Sequence, residues 1–237
     1  MEMREQNDLD LSIVMPCLNE AATVGICVRD AESFLRANGL SGEILVVDNG
    51  STDGSGAIAE KSGARVIREP KRGYGNALKA GIAHSRGTVI LMGDCDTTYD
   101  FLQLDEMYRL LCGDWDMVIG NRFAGSMEKG SMPLSHKWGV RGLSRLGNML
   151  FRTNLGDYHC GIRGMTRKTA EALEFRTTGM EFAAEMIVQA AKTGLRIGQC
   201  PVNLRRCLYP RKSKLRTMRD GTRHLAYMMQ TYLLGGK

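Results

Sequence analysis

The chain has 237 residues, 43% apolar and 24% charged, which suits one sizeable α/β domain and is short for two. Lys and Arg number 32 against 26 Asp and Glu, a formal charge of +6 that points to an anionic partner: phosphate-bearing substrates, an acidic membrane surface or nucleic acid. Seven cysteines without a C-x-x-C pair or zinc-like spacing, no signal-peptide core and no apolar run near the ~18 residues of a bilayer span lead to an expected cytoplasmic location, peripheral on the membrane face at most.

Residues 11–15 (LSIVM) form an apolar run closed by Pro16, the first expected strand. Asn19-Glu20 follow, and residues 21–37 carry Val24, Val28, Ala31 and Leu35 at helical spacing until Asn38-Gly39 stops the helix. The second strand, 43–47 (EILVV), ends in Asp48-Asn49-Gly50-Ser51-Thr52-Asp53. A short helix at 57–61 and a short strand at 65–67 come next, then a helix through Ala83 opened by Arg72-Gly73-Tyr74-Gly75-Asn76. The following run, Val89-Ile90-Leu91-Met92, reads as a buried strand. Strand and helix alternate steadily, the pattern of a Rossmann-like, mostly parallel sheet flanked by helices.

A helix to about Cys112 and a strand at 115–120 (WDMVIG) precede an aperiodic stretch, 121–134, read as a loop. Residues 135–151 return to helical spacing, with Trp138, Gly142, Leu146 and Met149 on one face and Arg141 close to Arg145 along the surface. Residues 161–165 read as strand or turn, 181–191 as a helix and 196–204 as a strand. Cations then crowd from Arg205 onward, and 218–234 places Met218, Leu225, Met228, Met229 and Tyr232 on one side of a basic amphipathic helix. The expected division is a catalytic domain, 1–216, and a C-terminal tail, 217–237. The tail has three readings: a solvated surface, a nucleic-acid patch, or a segment docking on acidic lipid. The last is preferred; the few tyrosines do not interleave with the cations as stacking platforms do, which counts against a nucleic-acid patch.

The 88–92 strand ends on Gly93, and Asp94, Cys95 and Asp96 follow at once. Ligands collect at the carboxyl ends of strands in an open α/β sheet. Two carboxylates one residue apart on a bend suit a hard cation, and such an ion bridges the phosphates of a nucleotide sugar. The plain alternative is that both acids cap the helix expected near Asp100. The ends of the first two strands share this edge. There Asp48 offers acceptors to a base or ribose, Asn49 offers donor and acceptor, and Gly50 lets the backbone turn beneath a ligand; Ser51 and Asp53 serve equally as caps of the next helix. The glycine turn at Arg72 suits an anion at a helix N-terminus but is neither a Walker motif nor a dinucleotide fingerprint.

In order, VMPCLNEAATV, VVDNGSTDGS, KRGYGNALKAG, GDCDTTYD, GNRF, DYHCGIRGMTR and GMEFAAEM resemble the successive motifs of glycosyltransferase family 2, nearest its dolichyl- or polyprenyl-phosphate hexosyltransferase branch. The resemblance runs from Leu11 to about Lys214. It implies a GT-A fold, a nucleotide-binding half followed by an acceptor half, and inversion at the anomeric carbon. It assigns Pro16, Asn19, Glu20 and Asp48 to the nucleotide sugar, with Asn49, Arg72 and Cys95 beside them. Asp94 and Asp96 match the motif for the diphosphate and for Mg²⁺ or Mn²⁺. Arg122 matches an arginine near the diphosphate or acceptor phosphate and, with Asp96, is the expected catalytic pair. Ser144, Arg145 and Asn148 match an acceptor-phosphate helix, which Arg141 joins; Arg163 and Lys214 match later cations. The chain departs from the pattern at Asn49, where a second acid is common, and at Thr98, where many relatives carry glutamine.

The implied function is transfer of mannose or glucose from GDP-mannose or UDP-glucose to a polyprenyl or dolichyl phosphate. The alternative is a soluble family 2 enzyme acting on a small molecule or peptide, and the remote one is a nucleic-acid-binding module. A phosphate monoester is already ionised near neutral pH, so no strong base is needed, and none is obvious. His136 and His159 fall near the acceptor region, and Glu181 and Glu185 face either the site or solvent.

Overall fold

The computed structural model describes residues 9–209 and 217–234. Seven strands, β1 (Leu9–Cys17), β2 (Gly42–Asp48), β3 (Arg65–Arg68), β4 (Gly87–Met92), β5 (Met117–Asn121), β6 (Arg163–Thr166) and β7 (Ile197–Pro201), form one sheet in the order β3-β2-β1-β4-β6-β5-β7. Every pair is parallel except β6, which runs antiparallel to both β4 and β5. Residues 11–15 of β1 and 43–47 of β2 are each buried without a break, because helices cover both faces of the sheet.

β1 continues through Pro16 to Cys17, past its expected stop. Its ladder with β4 ends at Val14–Met92 while that with β2 reaches Cys17–Asp48, so the missing Pro16 N–H breaks no bond to β4. At the opposite edge of the sheet, Glu43 is buried and gathers Ser12 (2.8 Å) and Arg65 (2.8 Å) with the Arg86 backbone N–H (2.7 Å). This cluster ties β1, β2, β3 and β4 together far from the carboxyl ends.

The helices are α1 (Val24–Ala37), α2 (Ser55–Lys61), α3 (Tyr74–His84), α4 (Asp105–Cys112), α5 (Leu134–Phe151), α6 (Arg167–Ala172), α7 (Phe182–Lys192) and α8 (Thr217–Leu234). α6 is absent from the sequence reading; Thr166 caps it by accepting the Thr169 N–H at 3.1 Å. α4 starts with Leu104 at its N-cap and no side-chain cap, so Asp94 and Asp96 do not serve that helix.

Two helices show what their sequence pattern left open. On α5 the inward residues are Val140, Ser144 and Gly147, whereas Trp138 and Met149 are 69% and 70% exposed. Gly147 decides the face: a Cβ there would lie 2.5 Å from the Tyr158 ring, so the backbone closes on that ring only at glycine. α8, expected as an appended tail, packs against α5 and α7, with Met228 fully buried against Ala184, Val188 and the flanking Leu143 and Leu146. None of the described helices is long and apolar enough to cross a membrane.

Candidate active site

A cavity of about 910 Å³ opens where the carboxyl ends of β1, β2 and β4 meet the amino end of β6, with α5 and α8 forming its far wall. The reversal of β6 matters here. It delivers Gly161 and Arg163 to the edge where the parallel strands deliver Pro16, Asn49 and the acid pair.

Asp94, Cys95 and Asp96 all line the cavity. Asp96 is buried, and its Oδ1 accepts the Thr98 N–H at 2.9 Å as well as the Thr98 hydroxyl. Thr98, the position at which many relatives carry glutamine, therefore holds the acid itself. Thr97 bends the chain between them at φ 65°, a strained angle for a β-branched residue. Asp94 lies over Gly161, where a Cβ would come within 2.4 Å of its Oδ2. The half-buried Tyr74 phenol also meets Asp94; desolvation, then the Asp94 charge, raise its pKa well above the ordinary value. Two bonds bind the strand ends together: Thr23 Oγ1 to the Cys95 carbonyl (2.8 Å) and Cys95 Sγ to the Pro16 carbonyl (3.3 Å).

Of the other residues expected at the donor, Pro16, Glu20 and Asn49 reach the cavity. Asn49 is already engaged at both ends. Its Nδ2 donates to the carbonyls of Glu69 and Lys71, each at 2.9 Å, and its Oδ1 accepts the Gly73 N–H at 2.7 Å. It is a clasp for the 69–73 loop, which accounts for an amide where a second acid is common. Asn19 and Asp48 shape the two loops instead of lining the cavity. Asn19, at φ 52°, accepts the Thr52 N–H (2.8 Å), and Asp48 accepts that of Ser51 (2.8 Å). Arg72 is exposed and donates to the Gly50 carbonyl at 3.1 Å. At this helix start Gly73 N–H is held by Asn49 and Gly75 N–H by the Thr178 carbonyl at 3.0 Å, so neither is free for the anion expected there.

The acceptor set divides as well. Arg122 and Arg163 line the cavity and are buried. Arg122 is held by Asp157 in a two-pronged pair, Nε–Oδ2 at 2.6 Å and Nη2–Oδ1 at 2.9 Å. Arg163 donates to the carbonyls of Cys160 (3.1 Å) and Ala183 (2.7 Å). Ser144 is buried but spends its hydroxyl on the Tyr158 N–H (3.0 Å), and it lies outside the cavity lining. Arg141 and Arg145 are exposed on the outer side of α5, Arg141 stacked 4.6 Å from the Phe123 centroid. Asn148 fastens the turn after α5 by donating to the Leu155 carbonyl (2.9 Å). Lys214 lies outside the described residues.

In place of Arg141 and Arg145, the cavity receives Arg206 together with Arg219 and Arg223 of α8. Arg223 pairs with Glu181 at 2.6 Å. Next to them the His159 and His224 rings meet edge to face, 4.3 Å between centroids. Both ring nitrogens of His159 and Nδ1 of His224 are buried with no hydrogen-bond partner among the described residues. Burial, followed by the charge of neighbouring groups, drives His159 well below the ordinary imidazole pKa; burial above all takes His224 to about 4. Both rings are therefore neutral near pH 7. His159 was within reach of sequence reasoning through its motif, but nothing local marks His224 or the α8 arginines.

Asp94 and Asp96 supply the hard oxygen ligands a divalent cation takes, and Gly161 and Thr98 fix where those oxygens sit. No group of three His, Cys, Asp or Glu suited to a metal occurs among the described residues. The pair thus fits an ion of the Mg²⁺ type, whose remaining positions go to water and substrate phosphate, and does not form a closed protein cage.

The seven-stranded sheet with one reversed strand is the GT-A fold. It is shared with glucosyl-3-phosphoglycerate synthase from Mycobacterium tuberculosis, solved with Mn²⁺, UDP and glucosyl-3-phosphoglycerate (TM-score 0.74, 22% identity, 94% of this chain and 80% of that one). Mannosyl-3-phosphoglycerate synthase from Rubrobacter xylanophilus superposes equally well (TM-score 0.75, 21% identity, 96% and 74%). Residues 12–173 match the glycosyl transferase family 2 model, and the chain belongs to that family. Curated relatives from Haloferax volcanii include the low-salt glycan biosynthesis hexosyltransferase Agl6, 36% identical over 92% of this chain. This chain spans 53% of Agl6. A dolichyl-phosphate hexose transferase from the same organism is 30% identical over 86% of each chain.

Proposed function

We propose that the chain transfers a hexose, mannose or glucose, from a GDP- or UDP-linked donor to a polyprenyl or dolichyl phosphate, with inversion at the anomeric carbon. One observation carries the reading: a single cavity joins Asp94 and Asp96 to five arginines, Arg122, Arg163, Arg206, Arg219 and Arg223. An acidic floor suits the cation that accompanies a sugar diphosphate, and a cationic wall suits a second anionic substrate. The relative named as a dolichyl-phosphate hexose transferase supports a lipid-phosphate acceptor. In this reading Asp94 and Asp96 hold Mg²⁺ or Mn²⁺, which when bound neutralises charge on the departing diphosphate.

The protein's own part is positioning. Tyr74, Gly161 and Thr98 hold the two acids in place. Pro16, Glu20 and Asn49 wall the donor end, with Asn19 and Asp48 fixing the loops behind them. The arginines bring the acceptor phosphate beside the donor despite like charge. A phosphate oxygen then bonds to the anomeric carbon as the bond from that carbon to the diphosphate breaks. The acceptor already carries about −1.5 to −2 charges at pH 7, so no protein base has to remove a proton.

A second reading, transfer to a small soluble phosphate ester, draws on the solved neighbours, which are named for phosphoglycerate. The deciding assay supplies labelled GDP-mannose or UDP-glucose with Mn²⁺ and either a short polyprenyl phosphate or 3-phosphoglycerate. Label in the butanol-extracted lipid is expected; label only in the aqueous ester selects the second reading. Asp96→Ala should lower turnover by about 10²-fold or more with an unchanged circular dichroism spectrum. Full turnover in excess chelator would remove the metal from the scheme.

A further inference from the structure

The outer stripe of α5 has no place in the site. Leu134, Trp138, Arg141, Arg145 and Met149 follow one another at spacings of four, three, four and four residues, an arc of roughly 80° at 100° per residue. All five are exposed, and the three apolar ones are 73%, 69% and 70% exposed. The Phe151 ring sits edge-on to Tyr232 at 6.4 Å, which brings the end of α8 alongside, with Leu233 and Leu234 71% and 74% exposed. Segments 134–151 and 221–234 contain no Asp or Glu, while Lys137, Arg141 and Arg145 supply positive charge.

We infer that this face of α5, continued by the end of α8, docks on an anionic lipid bilayer. Exposed tryptophan and leucine flanked by arginine, with no acid in either segment, is the composition of an interfacial helix. Its apolar side chains enter the headgroup boundary while its cations meet lipid phosphates. A second copy of the chain is a poorer occupant, because a two-fold contact along the stripe sets Arg141 and Arg145 against their own counterparts without an acid to pair them. The location also has a use. Met132, His136, Val140 and Leu143, on and just before the same helix, line the cavity, so one face of α5 serves the site and the other the surface from which a lipid phosphate comes. This last link rests on the lipid-acceptor reading above; the docking itself does not.

The test is flotation of the full chain with vesicles of phosphatidylcholine alone, or with phosphatidylglycerol at about three to one. Wild-type protein should float with the anionic vesicles and stay behind with the neutral ones. The double variant Leu134→Ser, Trp138→Ser should lose about tenfold or more of its bound-to-free ratio, and so should Arg141→Glu, Arg145→Glu. The serine variant should keep wild-type turnover on a water-soluble short-chain prenyl phosphate, which separates lost docking from lost folding. Failure of the wild type to float, equal flotation of all variants, or a dimer in light scattering that the serine pair dissolves would each overturn the inference. Flotation as expected without transfer to any prenyl phosphate would leave docking standing and remove the acceptor assignment. Transfer in detergent without flotation would do the reverse.

Discussion

At the scale of single residues, the Arg122–Asp157 pair carries more than its own energy. Asp157 is fully enclosed, and besides both prongs of Arg122 it accepts the His159 N–H at 3.0 Å, so one carboxylate orients a cavity arginine and the loop that leads to β6. Removing one partner of such a pair strands a buried charge. Asp157→Ala should cost about 3–5 kcal/mol in urea unfolding, and Arg122→Met added to it should recover part of that loss. A cost near zero would mean that water reaches the pair. The histidines make a separate prediction. His224, at about 4 in the folded protein against about 6.5 unfolded, binds fewer protons folded than unfolded between those values. Its contribution is complete above pH 6.5 and is lost as the pH falls to 4, about 3 kcal/mol in all, with His159 acting in the same direction. Arg163 and Arg223 add to the depression, whereas Glu181 and Asp220 oppose it. Glu181, itself held below the usual carboxylate range, adds its loss only further down, below about pH 4.5. Melting temperatures of His224→Gln should therefore be flatter than wild type between pH 6.5 and 4. Parallel slopes would clear His224 of the role. The acid pair was legible because strand ends collect ligands. The employment of Asn49, Ser144 and Arg72 was not, since each spends its polar atoms on a backbone group that the fold alone brings near.

Among the elements, α5 and α8 depart furthest from their sequence pattern. Periodicity found the helix at 135–151 but put Trp138 and Met149 on a common side without saying whether that side faced in. Gly147, pressed on Tyr158, reverses the intuitive answer, and only the tertiary contact reveals it. The amphipathic pattern of α8 was equally readable, but of that stripe Met228 packs on α7 and α5 whereas Leu225 and Tyr232 are exposed. Long periodic helices and the apolar strands came through; the short α6 and the docking of α8 depend on contacts distant in sequence. α8 belongs to the catalytic unit in our reading, because Arg219, Arg223 and His224 wall the cavity. Met228→Ala should cost about 2–5 kcal/mol if α8 unfolds together with the sheet. Should it undock alone, hydrogen exchange will rise in α8 while β1 and β4 stay protected, with turnover falling in step.

For the molecule as a whole, the alternation of strands and helices foretold a parallel sheet, and β1 to β4 obey it. The reversed β6 was not foretold, since a four-residue strand has no direction in its pattern. Its insertion has a consequence for synthesis on the ribosome. The inner edges of β4 and β5 stay open until residues 163–166 emerge, seventy-one positions after Met92 in the pairing Met92–Arg163. For that interval two apolar strands present unpaired N–H and C=O groups, the template on which chains stick to one another. Refolding yield from denaturant should accordingly fall as protein concentration rises. A synthetic peptide of β6 sequence, supplied in excess during refolding, should raise the yield by occupying that slot. The strand that completes the catalytic edge would then also be the closure that keeps newborn chains apart.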